Sequence, residues 1–322
     1  MRVLSAAAVF GLILATIAPA AAESIFVSNE QDNSVSVVDG TSLKVVATIP
    51  VGRRPRGILA SPDGKAVYVA EGDDNRIDVI DPIARKLVGS LPSGKDPEQF
   101  ALDPQGKHIF IANEDDNEVS DLDIAKKAVI GTVPVGVEPE GMAMSHDGKL
   151  VACTSETTSM VHLIDAHSLK PVANILVDPR PRSVIFSPDD KVIWVSSEVL
   201  GTVTAIDVAS HKVLGHVRFA VPGLTREQVR AVGLEQTRNG KRVFVSLGSA
   251  NRVAEIDPVS YKVKRYFLVG KRVWHVAVSP DQKRLYTANG NSGDISVVNL
   301  EDNEVTRSIP VGRGPWGVTV VP

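Results

Sequence analysis

The sequence predicts an all-β fold, a seven-bladed β-propeller with four antiparallel strands per blade, on three observations. One column recurs at nearly fixed spacing: Asp39, Asp81, Asp123, Asp165, Asp207, Asp257 and Asn299, with gaps of 42, 42, 42, 42, 50 and 42 residues. Self-similarity at that period marks one supersecondary unit copied around a ring or along a solenoid. Each unit reads as four short strands separated by turn residues. The two chain ends carry complementary fragments of one further unit, which closes the ring and leaves no free edge.

Met1 to Ala22 reads as a secretory signal peptide: Arg2, a nearly unbroken apolar stretch from Val3 to Ala18, then the small residues Ala20-Ala21-Ala22. It has a charged start, an apolar middle and a small-residue cleavage site, without a stop-transfer flank. The expected organisation is therefore a signal peptide over 1–22 and a propeller over 23–322, with a periplasmic or secreted destination. Cys153 is the only cysteine, which excludes an intramolecular disulfide. Its column otherwise holds Val27, Val69, Ile111, Val195, Val245 and Thr287, so it reads as a small buried hydrophobe.

The copy from Gly57 to Glu98 shows how a unit is built. Gly57-Ile58-Leu59-Ala60 is a short apolar strand, and Ser61-Pro62-Asp63-Gly64 is a turn in which Pro presets φ and Gly supplies φ > 0. Ala66 to Ala70 is a β-branched and aromatic strand, Gly72 to Asn75 a second turn, and Ile77–Ile80 and Lys86–Leu91 two more strands. The Asp column falls at the end of each third strand, where a carboxylate accepts backbone amides two residues on in an Asx turn. Asn299 can do the same, which fits a turn and not a metal or an acid. Complete copies begin at Gly57, Gln99, Gly141, Ser183, Gly233 and His275. Ser24 to Arg56 supplies only the last three strands of another copy, and Gly317 to Val321 only a first strand.

Several of these strands carry a family resemblance. Val67-Tyr68-Val69-Ala70-Glu71, Ile109-Phe110-Ile111-Ala112-Asn113 and Leu285-Tyr286-Thr287-Ala288-Asn289, with the connections Ile49-Pro50-Val51-Gly52 and Ile309-Pro310-Val311-Gly312, resemble the YVTN-repeat β-propellers. With the insert near Val221-Pro222-Gly223, the chain resembles the subfamily associated with PQQ-dependent (quinoprotein) alcohol catabolism in bacteria. The resemblance implies a periplasmic or secreted propeller without a settled activity, and a partner such as a quinoprotein dehydrogenase or a cytochrome c. No cofactor of its own is expected.

Charge is mild: 35 Lys and Arg against 38 Asp and Glu, net −3. That balance argues against a nucleic-acid partner, and against a membrane partner once the signal is removed. The expected site is one mouth of the channel. The column just before each innermost strand reads Arg56, Glu98, Glu140, Arg182, Val232, Trp274 and Trp316, and the next column is small except at Gln99 and His275. Arg56 and Arg182 could hold an anion, Trp274 and Trp316 could stack on a planar ligand, and Glu98, Glu140 and His275 could exchange protons. The competing reading pairs Arg with Glu across the channel. The copy that begins at Ser183 is longer than the rest, its extra chain lying in Phe219 to Val232. Thr225 and Gln228 stand at capping-box spacing there, and Arg226 and Arg230 are placed to reach the mouth. The loops Glu30–Asn33, Gly72–Asn75 and Glu114–Asn117 predict an acidic rim sector whose Asp-Asn content turn chemistry alone explains.

The functional expectation is a non-enzymatic binding propeller for a small anionic or aromatic ligand or a partner protein. The alternative is a lactonase-type hydrolase using Glu98, Glu140, His275 and Arg182. No G-x-S-x-G or H-E-x-x-H motif supports other hydrolases.

Overall fold

The computed structural model describes residues 23–322, so the signal-peptide reading of 1–22 lies outside the described residues. Seven four-stranded antiparallel sheets form the blades. The first blade is completed from the far end of the chain: Pro315–Val321 lies innermost, followed by Ser24–Asn29, Ser34–Asp39 and Lys44–Pro50. Val27 is paired with Val318, Phe26 with Thr319 and Ile25 with Val320. Blade 2 is typical of the rest, with strands Pro55–Ala60, Val67–Glu71, Arg76–Asp81 and Lys86–Pro92 from channel to rim.

Core packing lies between blades. Each buried hydrophobic cluster joins two neighbours, as when Phe26, Val35 and Val37 of blade 1 meet Ile58, Val67 and Ile80 of blade 2. Period-2 alternation sends each strand's two faces into two such cores, so the middle strands are buried on both sides. Cys153 is completely buried in the cluster between blades 3 and 4, and burial raises its thiol pKa above the usual value.

The turns form as the repeat predicts. Asp39, Asp81, Asp123, Asp165, Asp207 and Asp257 each accept a backbone amide two or three residues on, and the Asn299 side-chain oxygen accepts the Glu301 amide at 2.8 Å. Gly64 has φ of 69°. A second device was less visible in sequence. Asn33, Asn75, Asn117 and Asn251 adopt the left-handed conformation. Their side-chain oxygens accept the amides of Arg54, Asp96, Glu138 and Arg272 at 2.9–3.1 Å. Each Asn thereby ties a loop at the upper face to the connection entering the next blade.

The inner strands carry a β-bulge. In blade 2 Pro55 opposes Glu71 and Ile58 opposes Val69, so one extra inner-strand residue is accommodated between them. The same shift occurs at Pro97/Phe100, Pro139/Met142, Pro181/Val184 and Val273/Val276. Bulges re-aim side chains. Here the bulged pair comprises the two columns singled out from sequence, Arg56-Gly57 and its counterparts. A Cβ added to Gly57 would lie 2.4 Å from the Glu98 carbonyl oxygen, and one at Gly141 would lie 2.4 Å from that of Arg182. Close approach of neighbouring inner strands therefore accounts for the small column.

Replacing Val318, which is 7% exposed in the closing strand, with Asp places an unpaired charge between the chain ends. The expected loss is roughly 3 kcal/mol in urea unfolding, with aggregation as the Ser24–Asn29 edge is released.

Candidate functional site

The bulges bring the predicted column into one buried layer across the upper channel. In ring order it runs Trp316, Arg56, Glu98, Glu140, Arg182, Val232, Trp274 and back to Trp316. Glu98 is 0% exposed, Glu140 and Trp316 1%, and Arg182 5%. Arg56 donates from Nη1 to Glu98 Oε2 at 2.6 Å and from Nε to Glu30 Oε1 at 2.9 Å. Arg182 Nη2 lies 2.9 Å from Glu140 Oε1, and its Nη1 donates to Glu156. The guanidinium of Arg56 stands 5.7 Å from the Trp316 ring centroid and that of Arg182 5.6 Å from Trp274. The two indoles are near parallel with centroids 6.4 Å apart. The arginines thus pair with carboxylates and stand over indoles within the layer, while Trp316 Nε1 finds no hydrogen-bond partner there.

The seam between Glu98 and Glu140 is the exception, because two carboxyl groups adjoin there. Burial pushes Glu98 up to about 7; Arg56 pulls it down, and a hydrogen bond with Glu114 raises it. Burial pushes Glu140 up to about 8 against the pull of Arg182, with Glu98 and Glu156 adding to the rise. Burial opposes the charged form of Arg56, yet Glu98, Glu140 and Glu30 hold its pKa above the usual value. The layer therefore favours charged arginines and retention of protons on the carboxyl pair.

A second tier was not singled out from sequence. Glu156 and Glu198 hold Arg180 and Arg182, Arg272 donates to Glu198 at 2.9 Å, and Arg272 also stacks 4.1 Å from the Trp274 centroid. The repeat carried the signal: Glu30, Glu114, Glu156 and Glu198 occupy one column directly after the second strand. Asp96, Glu98 and Glu114 bring one oxygen each within 4.8 Å of one another, a spacing that could hold a cation. The Arg54 guanidinium already lies against Asp96 and 3.5 Å from Glu98, supplying positive charge there. The acidic rim sector is likewise offset: Asp32 pairs with Arg313, Asp74 with Arg53 and Asp116 with Lys95.

Beneath the charged layer the channel opens into a cavity of about 280 Å³. Gln99, Ser183, Glu235, His275 and Trp316 line it among apolar residues; Arg56, Glu98, Glu140, Arg182 and Trp274 do not. Of the predicted ligand residues, Gln99, His275 and Trp316 therefore face this space, and the charged ones lie above it. Arg230 reaches neither the layer's ion pairs nor the cavity: its backbone sits on the rim near Gly248, close to Arg272. Arg226 lines a separate groove. The reason is the turn in the insert, closed by the Thr225 amide donating to Gln228 Oε1 at 2.8 Å. The capping spacing read from sequence forms, and it carries Arg226 outward.

His275 packs tilted against Trp316, with centroids 4.2 Å apart. Burial lowers its pKa to about 3, with Arg182 and Arg56 adding to the effect, so the imidazole is neutral. His275 Nε2 and Trp316 Nε1 are buried without hydrogen-bond partners. Glu235 is the one carboxylate in a column otherwise holding Leu59, Ala101, Ala143, Ile185, Ala277 and Thr319, and sequence reading passed over it. Burial pushes it up to about 7, against amide hydrogen bonds from Gln236 and Val278.

The fold and the channel define the class: the chain is a seven-bladed β-propeller. A model of YNCE-like β-propellers matches residues 4–112. No curated protein matches. Among solved structures, the Kuenenia stuttgartiensis hydrazine synthase is similar at a TM-score of 0.79 and 21% identity, over 90% of this chain and 99% of that one. A Lactobacillus plantarum protein is similar at 0.79 and 14% identity, over 93% and 98%. A Bacteroides uniformis protein provisionally assigned as a 6-phosphogluconolactonase is similar at 0.76 and 17% identity, over 93% and 99%. At these identities the likeness is one of fold. No helix among the described residues is long and apolar enough to cross a membrane.

Raised carboxyl pKa values set the sign of a pH effect. The folded state holds protons on Glu98 and Glu140 that the unfolded chain releases near 4.5. Their stabilising contribution is complete below that value and is lost as pH rises through about 7 to 8. The melting temperature is expected to fall by on the order of 5 °C between pH 5 and pH 8.5, and by less in Glu140→Gln. Arg182→Gln leaves Glu140 and Glu156 without their shared partner, and about 3–5 kcal/mol of lost stability in denaturant titration is expected.

Proposed function

We propose that this chain is an extracytoplasmic, non-enzymatic binding propeller that takes a small polar or aromatic ligand in the lower channel. The observation supporting this most directly is the channel cavity of about 280 Å³, where the Trp316 and His275 rings, the Gln99 side chain, Ser183 and Glu235 meet apolar neighbours such as Ile58, Met142 and Val276. That volume lies just under the usual range for drug-sized ligands, so the occupant is small. Unpartnered nitrogens on His275 and Trp316 are the groups an occupant with its own donors and acceptors would satisfy. In keeping with the family resemblance, the proposed setting is PQQ-dependent alcohol oxidation. The partner would be a quinoprotein dehydrogenase or a cytochrome c, with neither nucleic acid nor membrane involved after signal cleavage.

Lactonase chemistry is less well supported. Its candidate groups Glu98, Glu140 and Arg182 do not line the cavity, and His275 is held near 3, far below the pKa that suits a general base at neutral pH.

Titrating a panel of small anionic and aromatic compounds while following Trp fluorescence tests the proposal. A saturable change is expected for at least one class, weakened about tenfold or more in His275→Ala, which keeps Trp316. A silent panel, or binding indifferent to His275→Ala, would defeat the channel site. Affinity capture from a periplasmic extract of alcohol-grown cells tests the pathway separately, with a quinoprotein dehydrogenase or a cytochrome c the expected partner.

A further inference from the structure

The insert that lengthens blade 5's exit builds a second cavity, separate from the channel. It measures about 580 Å³ and lies between the connection Gly201 and the chain from Arg218 to Val229. Leu200, Phe219, Val221, Leu224 and Val229 supply an apolar floor, and Phe219, Val221 and Val229 continue into the core between blades 5 and 6. Arg218 and Arg226 both line this groove and are both exposed. Among the described residues neither guanidinium has an ion pair or a side-chain hydrogen bond, although nearly every other arginine of the upper face is paired. The adjacent acid, Glu227, is engaged by its own amide and by the Thr225 side chain, which hold its pKa down, and the nearby Arg226 charge adds to the lowering without forming an ion pair with it.

The groove is pinned, not a loose loop. The Ala220 amide donates to Tyr266 Oη at 3.1 Å, Leu224 donates to the Val221 carbonyl at 3.1 Å, and Ser249 Oγ donates to the Gln228 carbonyl at 3.1 Å. At its far wall Gly201 approaches so closely that a Cβ would lie 2.2 Å from the Val229 carbonyl oxygen. An eight-residue excess over the common repeat has thus been folded into fixed walls around an apolar floor with two free cations at its lip.

We propose that this groove is a binding site for a small amphiphilic carboxylate, the apolar body lying on Phe219, Val221 and Leu224 and the carboxylate meeting Arg218 and Arg226. Guanidinium groups match carboxylates in planar, bidentate fashion, and two of them without internal partners leave a net positive lip that selects an anion. The volume lies inside the range typical of small-molecule sites. This site does not depend on the channel reading.

Octanoate titrated by calorimetry and by amide chemical-shift mapping tests it. Saturable binding is expected at up to about millimolar octanoate, with shifts gathered on residues 200–229 and none at Gln99 or His275. Octanol, with the same apolar body, is expected to bind at least about tenfold more weakly. Arg218→Gln combined with Arg226→Gln is expected to weaken octanoate about tenfold while leaving the melting temperature unchanged, since both side chains are exposed. Affinity should fall as salt is raised, because the ion pairs are at the surface. No saturable octanoate binding, equal affinity in the double variant, or shifts confined to the channel would each overturn the assignment. The last result would still favour the channel site, so the two readings fail independently.

Discussion

The structure depends on one pairing across almost the whole chain: Pro315–Val321 against Ser24–Asn29. Without it blade 1 lacks an inner strand, and the channel loses both a wall and Trp316. Closure also sets a steric constraint. Seven inner strands converge on one axis, so their bulged residues approach neighbouring backbones within contact distance. Gly57, Gly141, Gly233 and Gly317 meet that constraint by having no side chain. Hydroxyls on the second strands reinforce it: Ser28 Oγ donates to the Arg56 carbonyl at 2.7 Å and accepts the Gly317 amide at 2.9 Å, joining two blades through one atom.

Placing two arginines and two carboxyl groups in a buried layer carries a large desolvation cost, and a buried ion pair often does no better than a hydrophobic substitute. What the arrangement contributes here is alignment. Arg56 links blade 2 to blade 3 through Glu98, and Arg182 links blade 5 to blade 4 through Glu140. Each pair joins the inner strands of two successive blades at one height, and so opposes sliding of one blade against the next. The Glu98–Glu140 seam completes the layer by keeping protons where a further cation would otherwise be required.

The fold was legible almost in full because its determinants are local and repeated. An Asp that caps its own turn, a Pro-Asp-Gly corner and a β-branched strand each show at their own position. The meeting of Arg56, Glu98, Glu140, Arg182, Trp274 and Trp316 was legible too, since equivalent positions in a ring must share a height. Which of them face open space was not. That outcome depends on side-chain length and on partners from another column, and Glu156 and Glu198 complete the pairing around Arg182. Arg226, read as reaching the mouth, lines a separate groove for a related reason: the path of an insert lies outside the repeat, and column arithmetic does not reach it. Glu235 was overlooked because it sits within an apolar strand pattern, where a single polar residue looks like noise.

In a repeat protein the shared residues build the scaffold, and departures from the repeat are where one copy differs in purpose. Here the departures divide into two kinds. Variation in the Arg56 column is largely absorbed by internal pairing and aligns neighbouring blades at one height. The departures at Gln99, Glu235 and His275 are not absorbed in this way: Gln99 and His275 are the two large side chains of an otherwise small column, Glu235 is the one carboxylate of its own, and all three line the same cavity. The long connection behaves like the second kind, because its arginines remain unpaired while its apolar residues join the core. Polar groups left without partners beside open space mark the places where another molecule can complete the set. That criterion is what ties the two proposals together, one within the axis and one on the flank.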